Sequence, residues 1–360
     1  MSKSLFRVKP VEPAPHVDAG EPVEGSLQGE ATLKRTLTAR HLILLGIGAV
    51  IGAGIFVLTG QAAANHAGPA IMLSFVIAGF ACAMAGLCYA EFASMMPVSG
   101  SAYSYSYATL GEFVAWFIGW CLVLEYLFAS STVAVGWSGY LVSFLTSTLG
   151  VPFPAQLASA PITWADGQFI ATDGLINLPA VLIVAAISGL CYVGITQSAF
   201  VNAIVVAIKV AVIAAFLGFG VQYVNPENWT PFIPANTGPG QFGMDGVFRA
   251  AAIVFFAYIG FDAVSTAAGE AKNPQRDMPI GILGSLAICT VIYIAVCAVL
   301  TGMTHYTLLN TAKPVATALE EVLKADPGAS IGWLKTAVEI GAIAGLSSVI
   351  LVMLMAQPRI

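Results

Sequence analysis

Charge is what this sequence has least of. Asp, Glu, Lys and Arg make up 9% of its 360 residues, where a soluble globular chain carries about a quarter. Histidine is nearly as scarce. His16, His41, His66 and His305 are the only four, and no HExxH or other metal-ligand spacing joins them, so a metal site is not expected. The six cysteines (Cys82, Cys88, Cys121, Cys191, Cys289, Cys297) all fall in apolar runs without CxxC spacing and read as small packing residues. No GxGxxG follows a strand-like run, which excludes a dinucleotide fold. No nucleophile–base pair is visible, so an enzyme is not expected, and neither is a cofactor. Basic residues cluster only in the short amino-terminal segment, which argues against nucleic-acid binding. The net charge of −5 says little, because most of the acidic excess lies outside the apolar runs.

What the chain does have is apolar length: 58% of its residues are hydrophobic. It reads as an all-α polytopic membrane protein, with the lipid bilayer as its surroundings. Residues 1–40 are polar and proline-containing, lack a cleavable apolar core, and are expected to form a largely disordered cytoplasmic tail. Residues 41–360 form the membrane domain, with eight spans expected at about 42–64, 70–96, 112–149, 178–196, 200–223, 246–268, 279–303 and 334–356. Residues 101–107 read as a tyrosine-rich link and 313–326 as a short helix outside the membrane. Lys3, Arg7, Lys9, Lys34, Arg35, Arg40, Lys272, Arg276 and Arg359 would share one side, which favours both termini inside.

Two spans carry interruptions. In the first, Gly46, Gly48, Gly52 and Gly54 fall within nine residues, and glycine costs about 1 kcal/mol relative to alanine in a helix. The Gly48/Gly52 spacing also fits close helix packing. In the sixth, Gly260 is followed by Asp262 in mid-span. The two spans lie five apart, an odd number, so the second unit would enter from the opposite side. That is the mark of an inverted repeat with a binding site at two broken helices. A half-helix amino terminus offers free N–H groups to a carboxylate, and a half-helix carboxyl terminus offers carbonyls to an ammonium. Such a pair suits an amino acid. Gly52, Ala53 and Gly54 leave the backbone open, while Phe256 and Ile259 would supply apolar walls and a gate.

Lys209, Glu125 and Asp262 lie well inside spans and need partners. Lys209 either snorkels to an interface or reaches the broken first span and span eight, with Ser347 and Ser348 as expected partners. A lysine held away from water can load and release a proton. Glu125 is either hydrogen-bonded between helices or part of the coupling machinery, and Asp262 reads as a cap of the inner half-helix amino terminus, a structural role that supports the site. Glu91 and Glu270 read as gate or interface groups.

With these residues in view, the chain resembles the amino acid–polyamine–organocation superfamily, and within it the cationic amino acid transporter branch and its bacterial homologues. The matching stretches are 48–56 (GAVIGAGIF), 97–103 (PVSGSAY), 111–116 (GEFVAW) with Glu125-Tyr126, and 256–262 (FAYIGFD) with 270–274 (EAKNP). The resemblance implies a five-plus-five inverted-repeat fold with discontinuous spans one and six, and alternating-access transport of an L-amino acid, proton-coupled or facilitated. A bacterial-type inner membrane is the implied location. Val50, Gly52, Ala53 and Gly54 match the carboxylate-binding stretch. Phe256, Ala257 and Ile259 match the amino-group carbonyls and gate. Lys209 matches the span-five lysine that replaces a sodium ion in proton-coupled members. The chain departs from the pattern at 197–200 (QSAF). It also stops after span eight, so the second repeat is incomplete and a truncated permease is expected. A membrane sensor that binds an amino acid without transporting it is the competing expectation.

Overall fold

The computed structural model describes residue 8 and residues 35–96, 101–165, 168–193 and 199–357. Apart from residue 8, the tail before residue 35 lies outside them, as do the 97–100 motif, the 194–198 link and the last three residues, including Arg359.

Among the described residues, each apolar stretch expected to span is largely helical. Among them six helices are long and apolar enough to cross a membrane, and two apolar helices, Ala39–Val50 and Leu178–Val193, are shorter. Ala39–Val50 is short because the first span breaks after it. The span resumes at Gly54–Leu58 and runs through Thr59–Ala62 and Ala63–Ala67. Span two is Ile71–Met95, span four Leu178–Val193, span five Ala199–Gly220, span seven Pro274–Met303 and span eight Gly332–Ala356. Span three, Glu112–Ser143, continues helically through Phe144–Thr148. At 1.5 Å per residue that is roughly 55 Å, well beyond a ~30 Å hydrocarbon core, so it must tilt or project. Span six is Gly243–Val254, then the tighter turn Phe255–Tyr258, an interruption, and Asp262–Glu270.

The bundle has two faces. One carries the start of span one and is called here the amino-terminal face. There Leu37 bridges to the end of span six: its N–H donates to the Glu270 carbonyl at 2.9 Å, and Lys272 N–H donates to the Leu37 carbonyl at 2.8 Å. On the opposite, hairpin face lies a two-stranded antiparallel ribbon, Ile162–Ala165 with Gln168–Ala171, between two of the expected spans. The tyrosine-rich link differs from expectation. It is helical over Ser101–Thr109, with Tyr105 buried and stacked on Phe92 at 5.2 Å. Packing overrides the weak helix propensity of its serines and tyrosines. The helix expected near 313–326 is present as Pro314–Ala325 and buries Val315, Ala318, Leu319 and Val322.

Packing divides the spans into two groups. Span seven lies along spans one and two, and span two also packs on span six. Span eight lies along spans three, four and five, and span three packs on span four. Large side chains such as Phe80, Trp116, Trp120, Phe128 and Val291 point outward and are exposed, as expected where the outer surface of a bundle meets lipid rather than water.

Candidate functional site: two facing breaks

The two interruptions meet in the middle of the bundle. Gly54 lies so close to span six that an added Cβ would stand 2.7 Å from the Ala257 Cα. Reciprocally, a Cβ on Gly260 would meet the Ala49 backbone at 2.9 Å. Each break therefore uses a glycine to approach the backbone of the other. Gly260 also sits at φ +113°, a conformation that side chains other than hydrogen resist.

At the first break the helix ends at Val50, and its terminal carbonyls need partners. Lys209 of span five supplies one. Its side chain is wholly buried, and its ammonium donates to the carbonyls of Gly48 at 3.0 Å and Ile51 at 3.1 Å. In a continuing helix the Gly48 carbonyl would accept from the amide of Gly52. A cation at the carboxyl end of a half-helix also meets the negative end of its dipole. Of the two sequence readings of Lys209, the buried one holds, and it does reach the broken span. The expected serine partners do not. Ser347 accepts from the Trp137 indole N–H at 2.9 Å and donates to the Ile343 carbonyl at 2.8 Å, and Ser348 donates to the Gly345 carbonyl at 3.0 Å. Span eight instead meets the lysine stem through Gly345, where a Cβ would lie 3.2 Å from the Lys209 Cε.

At the second break Asp262 binds back across the interruption. One carboxylate oxygen accepts from the Gly260 N–H at 3.1 Å and the other from the Tyr126 hydroxyl at 2.5 Å. Asp262 thus binds a backbone amide at the start of the inner half-helix, in line with the capping role expected for it. Glu125 neighbours this pair on span three. It is half-buried, interacts electrostatically with Asp262, and makes no hydrogen bond among the described residues.

All seven residues expected to touch a substrate line one cavity: Val50, Gly52, Ala53, Gly54, Phe256, Ala257 and Ile259. Ala49, Ala129, Val133, Val349 and Met353 complete it, around a cavity of about 20 Å³, so the breaks are closed together in this conformation. The walls opposite the breaks carry no charge. Gly48 and Gly52 also serve the packing that their spacing allows. Added Cβ atoms would come within 2.5 Å of Val206 and 2.7 Å of Val349 respectively, so the packing reading of these glycines is realised.

Two groups were missed by sequence reasoning. The fully buried Tyr293 of span seven directs its hydroxyl at the Val50 carbonyl, 2.9 Å away, and the Ala257 carbonyl, 2.8 Å away. One proton is shared between the two breaks, and an ammonium at Ala257 would use the second lone pair of an oxygen already engaged. The other is Glu339 in span eight, wholly buried near the hairpin face. It accepts from Ser143 at 2.5 Å and Thr148 at 2.8 Å, and Lys335 stands 3.8 Å away. Lys335 and Lys313 both pair with Glu320 of the surface helix, at 3.1 and 2.7 Å. An acid in the run 334–356 was the available signal for Glu339.

The comparisons with known proteins agree with this geometry. The family model described as amino acid permease matches residues 37–360. The methylthioribose transporter of Bacillus subtilis (strain 168) is 48% identical over 358 residues, 99% of this chain and 70% of that protein. The branched-chain amino acid permease BcaP of the same organism is 47% identical over 100% of this chain and 71% of its own length. The vacuolar cationic amino acid transporter 2 of Arabidopsis thaliana is 38% identical over 99% of this chain and 52% of its own. Among solved structures, MhsT in complex with L-phenylalanine shares the fold, with a TM-score of 0.63 at 17% identity over 90% of this chain and 73% of that one. A transporter fold broken at spans one and six, with family similarity along nearly all its length, identifies the chain as a member of the amino acid permease family.

Proposed function

We propose that this chain is the binding core of a secondary transporter that moves an L-amino acid across a bacterial-type inner membrane by alternating access, with Lys209 as the proton-coupling group. The observation that carries the reading is the pair of facing breaks around one cavity. The amides of Gly52, Ala53 and Gly54 stand at the start of the resumed first span, where helix N–H groups lack intrahelical partners. That end is positive and suits a carboxylate. Carbonyls of the Phe256–Ile259 turn receive the ammonium. Phe256, half-buried at the cavity edge, serves as the gate.

Lys209 holds the carboxyl end of the first half-helix most strongly while it carries its proton. Release of that proton removes the charge that strengthens both bonds and loosens the break, and this ties substrate release to proton movement. Glu125, beside Asp262, is a second acid within reach of the pathway. The uncharged cavity walls favour a small or apolar side chain. We place the amino-terminal face, with Arg35, Arg40, Lys272 and Arg276, on the cytoplasmic side.

Proteoliposomes are expected to take up a labelled amino acid when an inward proton gradient is imposed, and Lys209→Met to lose the gradient dependence. Absence of uptake across all twenty amino acids overturns the transport reading, and full gradient-driven uptake by Lys209→Met overturns the coupling role. The methylthioribose transporter among the relatives motivates a second substrate arm in the same assay. A thioether sugar lacks both charged ends, so its uptake in preference to any amino acid would mean that the breaks do not work as a zwitterion clamp.

A further inference from the structure

Span three donates side-chain hydroxyls to both broken spans, and unlike Tyr293 of span seven it uses a separate tyrosine for each. Tyr126 donates to Asp262, just past the break in span six, at 2.5 Å. Tyr140 donates to the Phe56 carbonyl, just past the break in span one, at 2.7 Å. Both tyrosines are buried, at 2% and 0% exposure. Fourteen residues separate them. That is about four turns, so they share a face of span three roughly 21 Å apart along its axis, one on each side of the cavity. Each bond crosses from one packing group to the other: span three packs with spans four and eight, while spans one and six pack with spans two and seven. The surroundings strengthen the distinction between the ends. The Tyr140 ring stands edge-on to Phe56 at 6.1 Å, and its hydroxyl faces the backbone of Val315 and Ala316 in the first turn of the surface helix. Asp262, by contrast, hands its second oxygen to Gly260 at the break itself.

Alternating access moves one group of spans against the other about a central site. Opening either face must break whichever cross-group bonds lie on that side. We infer that Tyr126 and Tyr140 are the paired latches of this motion, Tyr126 holding the amino-terminal face closed and Tyr140 the hairpin face, and that both are engaged in the conformation described here. They position the broken spans and do not touch the substrate. The inference rests on the transport reading above.

A hydroxyl deletion at either position keeps the ring and its packing. The loss of one hydrogen bond shifts the ratio of open to closed populations at that face by roughly two- to tenfold. The test uses spin-label pairs in a cysteine-free background of the full chain. Glu112→Cys with Gln275→Cys reports the amino-terminal face, and Thr146→Cys with Thr307→Cys reports the hairpin face; all four positions are exposed. Tyr126→Phe is expected to lengthen the first distance alone, and Tyr140→Phe the second alone. The double variant is expected to restore the balance between faces. Thermal stability near that of the parent confirms that each variant is folded. Both variants moving the same face, or neither moving either, overturns the latch assignment. Uptake of a labelled amino acid by the parent, measured alongside, separates the two readings. Uptake with unmoved distances sinks the latches only. Absence of uptake together with immobile faces sinks the transport reading as well.

Discussion

The two breaks solve one problem with opposite charges. The first has no ionisable side chain of its own between Leu42 and Ala64, and borrows a cation from span five, since Lys209 takes the Gly48 and Ile51 carbonyls. The second carries its own anion, because Asp262 lies two residues beyond Gly260 and binds that glycine's N–H. A helix end that exposes carbonyls calls for a cation, and one that exposes amides calls for an anion. The difference lies in what each arrangement permits. An anion fixed within the same span holds its break through local geometry. A cation from a different span makes the first break depend on how spans one and five sit together, and on whether the lysine holds its proton. The first break is therefore the responsive one and the second the rigid one.

The comparison can be broken most forcefully at the lysine. Lys209→Met removes two charge-assisted bonds worth roughly 1.5–3 kcal/mol each. Part of this is returned by removing a buried charge. A net loss of about 3 kcal/mol in closing the first break corresponds to a roughly hundredfold weaker amino acid affinity, measurable by isothermal titration. Next in size is Gly260→Ala. It places a methyl 2.9 Å from the Ala49 backbone at a φ of +113°, for a stability loss of about 1–3 kcal/mol, read from thermal unfolding in detergent. Asp262→Asn keeps one acceptor and forfeits the charge, so a loss near 1 kcal/mol is expected, without the change in proton dependence proposed for Lys209→Met. The smallest effect lies far from both breaks. Burial raises the Glu320 carboxyl, but Lys313 and Lys335 outweigh it and hold the group below its ordinary 4.5. A depressed carboxylate stabilises the fold above its ordinary value and loses that contribution as pH falls below it. Glu320→Gln is thus expected to cost under about 1 kcal/mol near neutral pH, and nothing once the parent is acidified through that range.

The parts legible in sequence were those written in local chemistry. Four glycines in nine residues, a glycine followed by an acid in mid-span, and a lysine within an apolar run each contradict their surroundings, so each stands out as a candidate for function. Tyr293, Tyr126 and Tyr140 announce nothing, since a tyrosine in an apolar helix is ordinary. Their hydroxyls gain meaning only when packing brings the carbonyl of Val50 or Phe56, or the carboxylate of Asp262, from far along the chain. Ser347 and Ser348 failed as partners of Lys209 for a related reason. Polarity was visible, but which face of span eight looks toward the lysine was not, and that face proved to be Gly345. The helix at Ser101–Thr109 and the ribbon at 162–171 escaped because weak local propensities there are decided by tertiary contacts.

The central claim is that the two breaks together hold both charged ends of an amino acid. Thermal stabilisation of the purified protein measures it directly, since a ligand that binds only the folded state raises its stability. The free amino acid that stabilises most would be compared with its carboxyamide and its N-acetyl derivative. The account predicts that the free form raises the unfolding temperature and that blocking either end abolishes the effect. Stabilisation by a blocked derivative equal to that by the free amino acid, or by none of the twenty amino acids at all, would contradict it.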